Sequence, residues 1–307
     1  MPNPSPTANR EPRTANSFVT WSSTIADRLA AGSLVADTPL GPIEYAPLGV
    51  GPPVLVLHGR PGGYDQGLTI ARSLGPPRFA FLAVSRPGYL RTPLDPARTP
   101  AAQADLYAAL LDALRLSDAS VIALSGGGPS ALEFARRHPA RCRALALVST
   151  VTRRRPRSQR PFVQKFLDEF ILTSDHRAAL LHRLVAPRAA TDPSFAMLAQ
   201  LCELPESLRG QGRRNDLDQF DHLPNAPPAP VAAPTLLLHG DADRIIPILH
   251  ARSAADSIPD SLLITIPGGG HGILLTHQST VVPALLRFLD DHATATPAAS
   301  AQPPALL

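Results

Sequence analysis

The chain has 307 residues, of which 44% are hydrophobic and 18% charged, with a formal charge of +4; that is enough for one large core plus an inserted or second small unit. No run approaches the roughly 18 apolar residues of a membrane span, residues 1–16 lack the apolar centre of a secretory signal, and Cys142 and Cys202 form no C-x-x-C pattern, so a disulfide framework and a cysteine metal site are excluded as expectations. The positive charge rests on arginine with a single lysine, Lys165, and its densest run, Arg153 to Arg160, has no interleaved aromatics; it reads as a solvated linker, and we expect a cytoplasmic protein with no nucleic-acid or membrane partner.

Residues 1–16 are polar, proline-rich and without periodicity, which predicts a disordered tail. Phe18 to Ala31 has Trp21, Ile25 and Leu29 on one helical face. Leu34–Ala36 and Ile43–Ala46, separated by Pro39 and Gly41-Pro42, suit an antiparallel edge hairpin. Val54–Leu57 is a continuous apolar run, the mark of a strand buried on both faces of a parallel sheet. A helix over Gly67–Leu74, a strand over Phe79–Val84 and an amphipathic helix over Ala101–Leu116 follow. Val121–Leu124 is another buried strand, succeeded by Ser125 and three glycines, a helix reaching Arg137 and a strand at Ala144–Val148. Strands alternating with helices at this spacing predict an α/β fold with a doubly wound, mostly parallel sheet.

From about Thr152 the pattern changes. Pro161 to Leu223 carries only helical signals: Phe162, Phe166 and Phe170 at i, i+4 and i+8, a periodic segment at Ala178–Val185, and another at Ser194–Leu201 after Asp192-Pro193. Helices alone between two strands of one sheet predict an inserted all-helical cap at 152–231, dividing a core of 17–151 and 232–292. The core resumes with a strand at Thr235–His239, a helix at Pro247–Ser257, a strand at Leu262–Ile266 and a helix at His277–Asp291, before an Ala/Pro-rich tail at 293–307.

The chemistry centres on Ser125. A serine at a strand-to-helix turn, beside glycines that tolerate unusual backbone angles, presents its hydroxyl at a helix N-terminus. Such turns hold nucleophiles, and they also bind phosphates. Ala123-Leu124-Ser125-Gly126-Gly127 resembles the G-x-S-x-G nucleophile elbow of the α/β-hydrolase family, with alanine in place of the first glycine. The resemblance covers roughly residues 40 to 290 and rests on three further stretches. Gly240-Asp241-Ala242-Asp243 through Pro247 is similar to the family's G-x-x-D-x-x-x-P loop, pointing to Asp243 over Asp241 as the acid; Ser149–Thr152, where some members carry it, holds no carboxylate. Pro267-Gly268-Gly269-Gly270-His271-Gly272 stands where the family places its base, His271. His58-Gly59-Arg60-Pro61-Gly62-Gly63 is similar to the family's oxyanion loop.

The resemblance implies a Ser125–Asp243–His271 triad and oxyanion donors at the Arg60 and Gly126 N–H groups, with no metal and no organic cofactor. It implies a small-molecule substrate for a monomer or homodimer, with a carboxylic ester first. A proline-iminopeptidase-like amide, with Asp168, Glu169 or Asp175 holding the amine, a C–C bond hydrolase, and a non-hydrolytic receptor are the alternatives. The Arg60 side chain either turns to solvent or enters the pocket. His58 is expected to hold the oxyanion loop beside the pocket, and Phe162, Phe166 and Phe170 are candidates for its wall or for packing within the cap. His138 and His250 are expected to be solvated, and His239 to sit in the core.

Overall fold

The computed structural model describes residues 16–189, 191, 205–225 and 231–293. The expected tails beyond residues 16 and 293, the expected helix at Ser194–Leu201 and Cys202 lie outside these residues, as do the side chains of Trp21 and Asp168.

Among the described residues, eight strands form one sheet: β1 (Leu34–Ala36), β2 (Ile43–Leu48), β3 (Pro53–Leu57), β4 (Ala80–Val84), β5 (Ala119–Leu124), β6 (Cys142–Val148), β7 (Thr235–Gly240) and β8 (Ser261–Ile266). Their order is β1-β2-β4-β3-β5-β6-β7-β8. β1 pairs with β2, and β2 with β4, antiparallel; all other pairs are parallel. Every residue of β3 is buried, as its unbroken apolar run requires for a strand covered on both faces. The chain leaves β3 to form β4 on one side and returns to form β5 on the other. That reversal opens a crevice at the carboxyl ends of β3 and β5, where open α/β sheets bind ligands.

Helix α1 (Asn16–Ala31) precedes β1, and α2 (Tyr64–Ser73), α3 (Pro100–Ala113) and α4 (Gly128–Arg137) connect β3 to β4, β4 to β5 and β5 to β6. α3 begins where Thr99 Oγ1 accepts the Ala102 N–H at 3.1 Å, with Pro100 in the first turn, two features that fix a helix start. Between β6 and β7 every regular element described is helical: a 3₁₀ turn at Arg157–Gln159, α5 (Phe162–Phe166) continuing into a π turn at Leu167–Ile171, α6 (Asp175–Ala189) and α7 (Glu206–His222). The core then resumes with α8 (Leu249–Ser257), α9 (Ile273–Thr276) and α10 (Gln278–Asp291). α10 buries Val281, Leu285 and Leu289, a stripe with the spacing of one helical face.

The expected solvated linker at Arg153–Arg160 is corrected in two positions. Arg155 and Arg160 are buried. Arg160 donates to Leu217 O at 3.1 Å and Asp221 Oδ1 at 3.0 Å, and the Arg157 N–H reaches the same Asp221 oxygen at 2.8 Å. The run fastens the start of the insertion to α7. His250 is buried too, with its Nδ1 accepting the Thr152 N–H, and His138 is half-buried against Asp105 at 2.8 Å.

Candidate active site

β5 delivers Ser125 into a turn with φ of 45°, a left-handed conformation that costs a non-glycine residue on the order of 1–3 kcal/mol and persists only where its surroundings enforce it. The chain runs on through a 3₁₀ turn, Ser125–Gly127, into α4. The glycines are needed for close approach: a Cβ on Gly127 would stand 2.8 Å from Leu57 O, and one on Gly126 would stand 3.2 Å from both Arg60 Cβ and the Phe220 ring. Ala123 lies wholly within the main hydrophobic core, between Leu57 and Leu147 on the flanking strands, where its methyl group is accommodated.

His271 follows β8 and Asp243 follows β7. Ser125 Oγ lies 3.0 Å from His271 Nε2, and His271 Nδ1 lies 2.8 Å from Asp243 Oδ2. Asp243 Oδ1 accepts the N–H groups of Ile245 and Ile246 at 2.8 and 2.9 Å, while His239 Nε2 lies 3.4 Å from Oδ2. Burial by itself would raise the Asp243 carboxyl, but hydrogen bonds from His239, His271 and the Ile246 amide outweigh it and hold the group well below the usual carboxylate range. An ionised Asp243 at neutral pH keeps the proton of His271 on Nδ1 and leaves Nε2 free to accept from Ser125. Asp241 instead accepts the Gly268 N–H at 2.7 Å and joins two loops.

The loop after β3 packs against the serine. A Cβ on Gly59 would stand 3.1 Å from Ser125 Cβ, and the Arg60 nitrogen lies 3.4 Å from the corresponding point on Gly126, so the Arg60 and Gly126 peptides flank the serine together. His58 is fully buried beneath them. Its Nδ1–H donates to Gly59 O at 2.6 Å, and its Nε2 accepts the Arg86 N–H at 3.0 Å. Burial first, then the nearby Arg86 charge, push the imidazole well below its ordinary value and keep it neutral.

Ser125 and His271 open into a cavity of about 510 Å³, walled by α2, the ends of β5 and β6, α9 and the insertion. Its lining is mainly apolar, including Ile70, Val148, Val151, Leu172, Phe220, Ile246 and Leu274, and Arg60, Arg155 and Arg244 also contribute to it. The residues expected at its wall do not all reach it. His58 is fully buried and absent from that lining. Phe162, Phe166 and Phe170 are 80%, 46% and 48% exposed, stack on one another along the outside of the insertion and are absent from the lining. The i, i+4, i+8 spacing identified a helical face but not the direction it points. Leu172 and Phe220 take that place. Two of the acids considered for an amine site are engaged elsewhere: Glu169 pairs with Arg157 at 2.7 Å, and Asp175 Oδ1 accepts the Glu206 N–H at the start of α7.

Several residues that shape the site carried no sequence signal. Gln66 Oε1 accepts the Gly59 N–H at 2.6 Å. Arg209 of α7 donates to Gly62 O and pairs with Asp65. Asp216 of α7 receives both Nη atoms of Arg86, at 2.8 and 2.5 Å. Arg86 itself lies in the loop that follows β4.

Comparison with known proteins agrees with the fold. A family model described as alpha/beta hydrolase fold matches residues 52–278. The chain is 29% identical over 274 residues to the uncharacterized hydrolase YcgS of Bacillus subtilis (strain 168), covering 81% of this chain and 95% of that one. It is 31% identical over 258 residues to a pimeloyl-[acyl-carrier protein] methyl ester esterase of Chromobacterium violaceum, covering 80% and 97%. Among solved structures, an alpha/beta hydrolase fold protein from Nakamurella multipartita superposes with a TM-score of 0.69 at 31% identity, covering 84% of this chain and 98% of that one.

Proposed function

The chain belongs to the alpha/beta hydrolase fold family, and from that premise we propose that it is a serine hydrolase of small-molecule carboxylic esters. The observation that carries the reading is the continuous path Asp243 Oδ2–His271 Nδ1 and His271 Nε2–Ser125 Oγ, at 2.8 and 3.0 Å, ending in an apolar cavity. Ser125 attacks the ester carbonyl as His271 takes its proton, and Asp243 stabilises the imidazolium. The Arg60 and Gly126 N–H groups receive the oxyanion of the tetrahedral intermediate. His271 then protonates the departing alcohol and activates the water that releases the acid.

An ester is favoured over a substrate with a free amine. Among the described residues lining the cavity none is aspartate or glutamate, whereas a desolvated ammonium needs a carboxylate partner. The likeness to a methyl ester esterase supports the same choice. The test is to treat the protein with a fluorophosphonate and locate the adduct by mass spectrometry. A single phosphonyl group on Ser125, absent in Ser125→Ala, is the expected result; a folded protein with no label on Ser125 refutes the reading.

A further inference from the structure

The oxyanion loop is held by an element remote in sequence. α7 buries a polar face, with Arg209, Arg213, Asn215 and Asp216 all shielded from solvent. The Asp216 carboxylate takes both Nη atoms of Arg86 and the Tyr89 hydroxyl, the last at 2.6 Å. Arg86 also makes two bonds to His58: its N–H to Nε2 at 3.0 Å and its Nε–H to the carbonyl at 2.9 Å. The neutral His58 donates its single ring proton, on Nδ1, to Gly59 O at 2.6 Å. That carbonyl belongs to the same planar unit as the Arg60 N–H. In a trans peptide the C=O and N–H point in opposite directions, so pulling Gly59 O toward the buried imidazole aims the Arg60 N–H the other way, onto the side where Ser125 stands.

We propose that Asp216 is a positioning residue for the oxyanion hole, setting the direction of the Arg60 N–H through Arg86 and His58. The proposal rests on the serine-hydrolase reading above. It makes α7 a fixed part of the catalytic machinery, distinct from any covering role of α5 and α6. Because the bonds aim a donor at charge that develops only in the transition state, their loss lowers kcat and leaves KM in place.

The experiment compares wild type with Asp216→Asn in hydrolysis of p-nitrophenyl butyrate and in inhibition by 1,1,1-trifluoro-2-hexanone, whose serine adduct places an oxyanion in the hole. kcat and inhibitor affinity should fall together by roughly 10- to 100-fold with KM changed by less than about twofold. Asp216→Asn leaves Arg86 as a buried charge without its counter-charge, so Arg86→Met/Asp216→Leu is made in parallel; an apolar replacement of a buried pair is often tolerated, and the same paired loss is expected. A folded variant with wild-type kcat and inhibitor affinity overturns the proposal. So does loss of the fold in both variants, since the pair would then hold the chain together rather than aim one donor. If wild type neither hydrolyses the ester nor binds the ketone, the serine-hydrolase reading itself fails and takes this one with it.

Discussion

Asp243 faces two kinds of donor at once. Oδ1 accepts two backbone N–H groups from its own loop, and Oδ2 accepts His271 with His239 close by. An asparagine here would keep its carbonyl oxygen on the two amides and turn its NH₂ toward His271. The imidazole would then have to accept at Nδ1 and carry its proton on Nε2, where it could no longer take one from Ser125. We therefore expect Asp243→Asn to fold and to lose about 10³–10⁴ in kcat at neutral pH, measured with saturating p-nitrophenyl butyrate. The three candidate triad residues were legible because each lies in a loop with a spaced glycine or proline pattern at the end of a recognisable strand. Gln66 and His239 were not. A glutamine on a helix and a histidine in a buried strand look ordinary until the fold brings Gly59 and Asp243 against them.

At the level of elements, α7 is where the sequence says least and the structure most. Glu206–His222 reads ESLRGQGRRNDLDQFDH, with no apolar stripe to define a buried face, so only a general helical tendency was visible. The face is buried through charge pairs whose partners, Asp65 and Arg86, lie more than a hundred residues earlier. The same reason hides the burial of Arg155 and Arg160 in a run that looks solvated. Its two internal glycines have different uses. The Gly212 N–H donates to Gly88 O at 2.8 Å, and a Cβ there would drive into the Tyr89 ring, which is itself fully buried. The atoms nearest a Cβ on Gly210 would be those at the end of the Glu206 side chain. Alanine gains about 1 kcal/mol of helix propensity over glycine at either position. Gly210→Ala should therefore lie within about 1 kcal/mol of wild type, whereas Gly212→Ala should be destabilised by about 2 kcal/mol or more because Tyr89 has nowhere to move. Urea midpoints at constant m-value separate the two.

For the whole molecule, the parallel sheet was legible from its apolar runs because a strand covered on both faces has no choice but to be apolar. The cost of that architecture falls on the polar groups beneath the strand ends. His58 and His250 are both buried there as neutral imidazoles. Burial, followed by the Arg155 charge, pushes His250 down to about 3, and burial with the Arg86 charge pushes His58 well below its ordinary value. Both histidines recover an ordinary value of about 6.5 when the chain unfolds. Above that pH neither state binds the protons and the histidines have no effect on stability. Below it the unfolded chain takes up protons that the folded chain refuses, so stability falls with pH by up to about 1.4 kcal/mol per pH unit for each histidine until the folded value is reached. Asp243 adds to the loss only lower down: its depressed carboxyl stabilises the fold above about pH 3.9, and that contribution fades as pH falls further. Urea unfolding should consequently show a nearly flat midpoint from pH 8 to 7 and a marked fall between pH 6 and 5, well before carboxylates titrate. His250→Gln, whose amide oxygen can still accept the Thr152 N–H, should reduce the slope between pH 6 and 5. A slope unchanged in that variant would mean that His250 is not the source of the acid sensitivity.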